Sequence, residues 1–283
     1  MPDPHHGAQR ASDHRGRSLL IGLFATLFAL GGLAAIPARA DASGLKVTVV
    51  VGPVSGSTSN YIANAKRYAN LARSYGAEVV EVYSPNATWA RVKAAAVGAN
   101  VFIYLGHGNG WPSPYAPFSV YRKDGLGLNA TAGAGNSNVK YFGEYYVERG
   151  LDLAPNAVVI LNRLCYASGN SEWGAPNPTR SVAIKRVDNF GAGFLGAGAG
   201  AVFAEAIGNP SYVLRGFLQG APETTVEQVF WSDPEATRSY RIRFESVRTP
   251  GAKAIMDPSR PGRYYRSVIG NTTMTVGEFR GQG

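Results

Sequence analysis

The sequence has few of the side chains that most often bind metals or drive acyl transfer. Among its 283 residues there is one cysteine, Cys165, and of its four histidines only His107 lies beyond residue 40. A single cysteine excludes an internal disulfide. One histidine and one cysteine also come close to excluding a His/Cys zinc site, because a structural zinc takes four such ligands and a catalytic zinc usually takes three protein ligands. We therefore expect neither a metal nor a cofactor.

The chain also lacks a Lys/Arg-rich run interleaved with stacking aromatic residues, although its formal net charge is +9. Removal of residues 1–40, which carry four Arg and two Asp, lowers that charge to +7. The remaining excess of positive charge is scattered along the chain. We therefore expect no nucleic-acid partner, and attraction to an anionic envelope surface explains the charge more simply.

The first 40 residues have the three parts of a signal peptide. Arg10, Arg15 and Arg17 precede an apolar run at 19–36, and the small-residue sequence Ala-Arg-Ala follows at 38–40. This order predicts export and cleavage after residue 40. The alternative is an uncleaved single-span anchor that holds the protein at a membrane or envelope surface, because about 18 apolar residues suffice to span a bilayer. Both interpretations predict a secreted or otherwise extracytoplasmic protein.

Residues 41–220 show the alternation of strands and helices that is typical of an α/β domain. Apolar runs predict strands at 46–51, 78–83, 101–105, 157–161 and 201–207. Helical spacing or capping residues predict helices near 61–75, 88–97, 139–149 and 181–199. Such alternation favours a mostly parallel sheet flanked by helices on both faces.

Two segments do not fit this alternation. Residues 108–138 are rich in Gly, Pro, Asn and aromatic side chains, which predicts a long surface loop with a short hairpin near Asp124 and Gly125. Residues 221–283 contain one short helix near 226–231 and short strand-like pieces, so we expect a small β-rich C-terminal appendage.

The single His and the single Cys beyond residue 40 each follow a predicted buried strand. His107 comes after strand 101–105, and Cys165 comes a few residues after strand 157–161. Because the carboxyl ends of parallel strands meet at one edge of the sheet, we expect the two side chains on that edge. A thiol becomes a good nucleophile beside an imidazole, and the N–H groups of Gly108 and Cys165 would then bind a developing oxyanion.

This arrangement resembles the caspase-like cysteine peptidases, the group that includes caspases, legumain, clostripain and gingipains. The resemblance covers residues 46–208 and lies in VFIYLGHG at 101–108 and AVVILNRLC at 157–165. His107 and Cys165 lie 58 residues apart, close to the roughly 50 of caspases. The string RLCYA at 163–167 differs from the caspase string, and Leu164 occupies a position where the family usually has a small residue.

The resemblance implies a caspase-like fold and a peptidase that acts on a peptide or protein substrate. It implies that Cys165 is the nucleophile, that His107 is the catalytic histidine and that Gly108 and Cys165 supply the oxyanion-hole amides. It also implies that the histidine protonates the leaving group without an intimate thiolate–imidazolium pair in the resting enzyme.

Several charged residues are candidates for substrate selection. Asp188 and Glu205 would suit a basic substrate side chain, and Arg163 or Arg180 would suit an acidic one, although ordinary surface or strand-end charges are the simpler interpretation. The string G-x-G-x-x-G at 191–196 falls in a predicted helix, which favours close packing over dinucleotide binding.

Two alternatives to an enzyme remain open from the sequence. A non-catalytic surface or envelope binding protein on the same fold would use the loops at 109–138 and 165–179 as its binding face. Four aromatic residues of these loops either line a cleft above the site or pack the loop against itself: Trp111, Tyr115, Phe118 and Trp173. A membrane-anchored envelope protein is the other alternative.

Overall fold

The computed structural model describes residues 42–282, so the predicted signal segment at 1–40 lies outside the described residues. The strands are β1 (Lys46–Val51), β2 (Glu78–Tyr83), β3 (Ala99–Leu105), β4 (Leu126–Asn129), β5 (Val139–Phe142), β6 (Leu153–Asn162), β7 (Ala199–Glu205), β8 (Ile242–Glu245), β9 (Lys253–Met256) and β10 (Arg266–Gly270). The helices are α1 (Thr58–Ser74), α2 (Trp89–Ala96), α3 (Glu144–Gly150), α4 (Arg180–Gly196), α5 (Ser211–Gln219), α6 (Val226–Trp231) and α7 (Val276–Phe279). Within this part of the chain, no helix is both long enough and apolar enough to cross a bilayer.

Eight strands form one mixed sheet in the order β2-β1-β3-β6-β7-β10-β9-β8. The first five pair in parallel, and β10, β9 and β8 continue the sheet in antiparallel pairs. One apolar cluster packs α2, α3 and α4 against one face, and a second packs α1, α5, α6 and α7 against the other. The expected α/β class, with a mostly parallel sheet between helices, is confirmed.

The buried faces of the helices follow from the sequence. Ala65, Tyr68 and Ala72 of α1 recur at helical spacing and are buried against the sheet. In α4 the glycine string at 191–196 lies inside the helix, where a Cβ on Gly191 would lie 2.5 Å from Ile269 of β10. Gly191 therefore permits close packing of α4 on the sheet, and Gly193 and Gly196 permit close packing on Glu144 and Glu148 of α3. The string does not form a dinucleotide-binding turn.

Four parallel strands end at the same level of the sheet. Val51 pairs with Leu105, Leu105 pairs with Asn162, and Asn162 pairs with Glu205. The segments that leave β1, β3, β6 and β7 therefore start side by side along one edge, where ligand sites of open parallel sheets are found.

The segment between β3 and β6 differs from the prediction. The hairpin is formed by β4 and β5 and turns at 130–138, whereas Asp124 and Gly125 precede it. Residues 123–129 are buried rather than exposed, and 139–142 form a strand before α3 begins. The physical reason lies in tertiary contacts, because β4 pairs with β5 and the buried hydroxyl of Tyr104 bonds to the N–H and C=O of Gly127 at 2.9 and 2.8 Å.

The C-terminal segment also differs from the expected appendage. Its strands β8, β9 and β10 extend the main sheet, and β10 pairs directly with β7. Arg266 of β10 is buried and forms ion pairs with Glu205, Asp233 and Asp257 at 3.2, 3.1 and 2.7 Å. Residues 221–282 are therefore part of the same sheet and core, joined to the parallel half by a buried charge network.

We expect Arg266→Met to lower the free energy of unfolding by about 3–5 kcal/mol, because it leaves the buried carboxylates of Glu205 and Asp257 and the partly buried carboxylate of Asp233 without their cation. The matched control is Arg243→Met in the same segment, which removes an exposed pair with Glu227 and should cost less than about 1 kcal/mol. Chemical denaturation of both variants measures the difference. Equal losses would contradict the role assigned to the buried network.

Candidate active site

Two loops leave adjacent parallel strands and meet at the carboxyl edge of the sheet. We call residues 106–125, which follow β3, the histidine loop, and residues 163–179, which follow β6, the cysteine loop. A Cβ added to Gly108 would overlap the carbonyl oxygen of Cys165 and lie 3.1 Å from its amide nitrogen. The sequence places glycine where the two backbones touch, and a larger residue would force them apart.

His107 packs against the β4–β5 hairpin. It is half-buried, and its Cβ would lie 3.1 Å from a Cβ built on Gly127 of β4. The Tyr104 hydroxyl that bonds to Gly127 also lies 3.1 Å from the His107 carbonyl oxygen. The position of His107 therefore depends on a tyrosine three residues earlier, which the sequence alone did not identify, and on a hairpin that the sequence predicted a few residues too early.

Cys165 is positioned by a turn that begins at the end of β6. Asn162 is buried, accepts a hydrogen bond from the Tyr68 hydroxyl and donates to the carbonyl oxygens of Glu205 and Gly208. Arg163 follows with φ at +63°, and its N–H donates to the Glu205 carbonyl oxygen at 2.8 Å. A left-handed backbone conformation is energetically unfavourable for a non-glycine residue such as arginine. The hydrogen bonds made by Asn162 and Arg163 therefore stabilise the turn.

Arg186 of α4 binds both loops. Its Nε donates to the Pro112 carbonyl oxygen at 2.7 Å, and its Nη1 donates to the Asn170 carbonyl oxygen at 2.8 Å. A second link joins the loops through Glu172, which accepts hydrogen bonds from the hydroxyls of Tyr115 and Tyr166 at 2.8 and 2.6 Å. The sequence offered no signal for Arg186 or Glu172, because both act through contacts distant along the chain.

The two central side chains are uncharged at neutral pH. Burial raises the pKa of the Cys165 thiol, the carboxylate of Glu172 raises it further, and the backbone N–H of Trp173 opposes them. Burial lowers the pKa of His107, and Glu172 acts in the opposite direction. The resting site therefore holds a thiol and a neutral imidazole, both within the influence of one carboxylate.

A cleft of about 760 Å³ opens beside the sulfur. Cys165 lines it together with other residues of the cysteine loop, most of them at 170–177. The remaining lining residues include Ala206 and Ile207, which follow β7, and Gly262, Arg263 and Tyr265. Its volume lies in the range of pockets that hold ligands of the size of a small organic molecule or a short peptide segment. The structure thus joins the cysteine to an open cleft instead of sealing it in the core.

The amides of Gly108 and Cys165 are the expected oxyanion donors. Within residues 42–282 neither N–H donates a hydrogen bond to a protein acceptor. The nearness of the two residues brings these free N–H groups to the same part of the edge. An oxyanion hole needs two unpaired backbone donors that point at one position.

The other sequence candidates have different roles. Asp188 accepts hydrogen bonds from the Ser246 hydroxyl and the Val247 N–H, and Glu205 is buried against Arg266 and Tyr212. Neither carboxylate lines the cleft, so neither serves a basic substrate side chain there. Arg180 begins α4 outside the cleft lining, whereas Arg163 lines the cleft.

Of the loop aromatic residues, some pack the loop against itself and one lines the cleft. Trp111 packs against Phe118 at 5.9 Å between ring centroids, so this part of the histidine loop is packed by its own side chains. Trp173 lines the cleft and is 94% exposed. Tyr115 fits neither interpretation fully, because its ring is exposed and its hydroxyl donates a hydrogen bond to Glu172.

We expect Gly108→Ala to lower the free energy of unfolding by about 1–3 kcal/mol, because the new methyl group overlaps backbone atoms of Cys165. It should also change the rate at which iodoacetamide alkylates Cys165, the only cysteine of the chain. Gly56→Ala is the matched control, since a Cβ there meets no atom within 4 Å. Wild-type stability and alkylation in Gly108→Ala would contradict the close approach of the two backbones.

We expect Glu172→Gln to lower the pKa of Cys165, because the substitution removes a negative charge that disfavours the thiolate. The pH profile of Cys165 alkylation should shift to lower pH, and alkylation at neutral pH should become faster. Glu223→Gln, an exposed change of the same type, is the control. A profile that stays in place or moves to higher pH would exclude this electrostatic role of Glu172.

Comparisons of the chain with protein-family models, with characterised proteins and with solved structures found no match.

Proposed function

We propose that the protein is an exported cysteine peptidase of the caspase-like type, with Cys165 as nucleophile and His107 as general acid and base. The observation that carries the proposal is the meeting of the histidine and cysteine loops, in which Gly108 touches the backbone of Cys165 beside an open cleft. The strand-His-Gly and strand-Cys segments that resemble this family lie on the adjacent parallel strands β3 and β6. The export expected from residues 1–40 is part of the proposal.

In the first step the sulfur of Cys165 attacks the acyl carbon of a peptide bond bound across the edge of the sheet. The thiol transfers its proton to His107 as the carbon–sulfur bond forms, and the carbonyl oxygen acquires negative charge near the N–H groups of Gly108 and Cys165. The carbon–nitrogen bond then breaks, and His107 delivers a proton to the leaving nitrogen. An amine departs and a thioester remains on Cys165.

In the second step water replaces the amine. His107, left neutral after the first step, accepts a proton from water as the oxygen attacks the thioester carbon. The same two N–H groups bind the oxyanion again. The carbon–sulfur bond breaks, the departing thiolate takes the proton back from His107, and a carboxylic acid leaves, so the two steps together hydrolyse one peptide bond.

The charge state of the resting site fits this sequence of steps. Burial and Glu172 keep the thiol protonated, and burial keeps His107 neutral, so the site does not rely on a preformed thiolate–imidazolium pair. Substrate binding would exclude water from the cleft and bring the acyl carbon to the sulfur. A neutral imidazole can relay the proton from the thiol to the leaving nitrogen.

We expect Cys165→Ala to lower kcat/KM for peptide hydrolysis at least about 10³-fold, and His107→Gln to lower it about 10²- to 10⁴-fold. A library of fluorogenic peptides measures the activity. An acyloxymethyl ketone probe should label wild-type Cys165 and leave Cys165→Ala unlabelled. Lys253→Gln, an exposed change on β9, should keep wild-type rates.

The alternative function has a different outcome in the same assays. A non-catalytic binding protein on this fold would show no peptide hydrolysis, and its Cys165 would react with the acyloxymethyl ketone no faster than a free thiol. Activity that survives in Cys165→Ala would assign the chemistry to other residues and would overturn the proposal.

A further inference from the structure

Two buried carboxylates lie where the end of the histidine loop packs against the start of α3. The side chains of Asp124 and Glu144 are buried, and within residues 42–282 neither Oδ2 of Asp124 nor Oε2 of Glu144 has a hydrogen-bond partner. The Glu144 N–H donates to the carbonyl oxygen of Lys123 at 2.8 Å, which brings the backbones of the two acidic segments together. Buried polar atoms are normally paired, so two unpaired carboxylate oxygens in one cluster indicate a hydrogen that they share.

Both carboxylates belong to a network that binds the backbone of Trp111 in the histidine loop. Asp124 Oδ1 accepts a hydrogen bond from the Trp111 N–H at 2.9 Å. The Trp111 carbonyl oxygen accepts one from the side-chain amide of Asn189 in α4, also at 2.9 Å. Arg248, in the segment between β8 and β9, donates to Asn189 at 3.1 Å and forms an ion pair with Glu144. The network therefore satisfies both polar groups of the Trp111 backbone.

The cations near the pair do not satisfy the two unpaired oxygens. Arg248 bonds to Oε1 of Glu144, and Lys123 donates through Nζ to Asn109 and Ser113 at 2.8 and 3.1 Å. The charged groups that act on Asp124 come from three parts of the fold: Lys123 of the histidine loop, Glu144 of α3 and Arg248 of the β8–β9 segment.

Helix α4 adds one more carboxylate to these surroundings. Asp188 precedes Asn189, and its oxygens accept hydrogen bonds from the Ser246 hydroxyl and the Val247 N–H. Asp188 is therefore satisfied by the β8–β9 segment and leaves the two unpaired oxygens to each other.

A single proton held between the two acids would satisfy both unpaired oxygens, because a carboxylic acid donates a hydrogen bond and a carboxylate accepts it. Burial raises the pKa of Asp124 to about 8, and the charge of Glu144 acts in the same direction. The Trp111 N–H, Arg248 and Lys123 act in the opposite direction. Asp124 is therefore the member of the pair that carries the proton at neutral pH.

We propose that Asp124 and Glu144 share one proton and that this carboxyl pair positions the histidine loop through the backbone of Trp111. Loss of the proton puts a second negative charge into a buried cluster, and repulsion between the carboxylates then weakens the contacts of the loop with α3 and α4. The loop that carries His107 is thus fixed at neutral and acidic pH and loosened in alkaline solution. Neither acid lines the Cys165 cleft, so the inference does not depend on the peptidase activity.

The pH dependence of stability reports the shared proton. Folded Asp124 keeps its proton up to about pH 8, whereas an unfolded aspartate loses it near about pH 4, so this group lowers the free energy of unfolding as the pH rises between those values. Asp124→Asn keeps a buried donor at every pH and removes this dependence. We expect the unfolding equilibrium constant of wild type, relative to Asp124→Asn, to rise up to about tenfold per pH unit in this window and to level off above it.

Denaturant unfolding from about pH 5 to about pH 9 measures that ratio. Asp152→Asn, an exposed change of the same type, is the matched control and should keep the pH dependence of wild type. A ratio of wild type to Asp124→Asn that stays constant with pH would overturn the shared proton.

A direct titration tests the coupling of the two acids. We expect the side-chain carboxyl ¹³C signal of Asp124 to titrate near about pH 8 in wild type and at lower pH in Glu144→Gln. The glutamine cannot ionise, and its amide can donate to the Asp124 carboxylate. Titration below about pH 5 in wild type, or at the same pH in both proteins, would overturn the pairing.

Hydrogen exchange tests the effect on the loop. The amide exchange rates of residues 106–125 in wild type are divided by those of Asp124→Asn at the same pH, which cancels the intrinsic pH dependence of exchange. We expect a ratio near one at about pH 6 and at least about threefold at about pH 9. The amides of α1, which packs on the opposite face of the sheet, should keep a ratio near one. Equal ratios for the loop at both pH values would overturn the positioning role.

Discussion

The site depends on the parallel pairing of β3 with β6, which brings Leu105 opposite Asn162. Because both strands end at this level, the histidine and cysteine loops begin side by side and meet where Gly108 touches the backbone of Cys165. Only a residue without a side chain fits at that contact. The approach of Gly108 to Cys165, 57 positions later in the sequence, is thus controlled by a strand register and one glycine, and the placement of their backbone amides follows from the same contact.

Burial decides the electrostatics around that contact. It keeps the thiol protonated and the imidazole neutral, and it also makes charged groups near the edge depend on partners. Arg266 has three carboxylates, and Arg186 has the carbonyl oxygens of both loops. In the part of the chain that the structure describes, the buried Nε atoms of Arg163 and Arg263 have no hydrogen-bond partner, which distinguishes these two arginines from Arg186 and Arg266.

The same network explains why the C-terminal segment is not a separate unit. Its strand β10 pairs with β7, and Arg266 joins it to Glu205 at the end of the parallel half. One wall of the cleft comes from the residues just before β10, at 262–265. The antiparallel half therefore completes both the core and the cleft, and a parallel α/β unit that stopped at residue 220 would lack Arg263 and Tyr265.

The sequence by itself determined the parallel core, because β-branched runs such as 46–51 and 101–105 and the helical spacing of α1 are local signals that survive in the fold. It also made His107, Gly108 and Cys165 the candidates for a site, since rarity and position after a strand can be read along the chain. Only the tertiary structure decided that 139–142 is a strand, that 123–129 is buried and that β8 to β10 join the main sheet. It alone revealed Tyr104, Glu172, Arg186 and Arg263. Each of these depends on pairing or hydrogen bonding between residues far apart in sequence, and such contacts leave no periodic pattern in the chain.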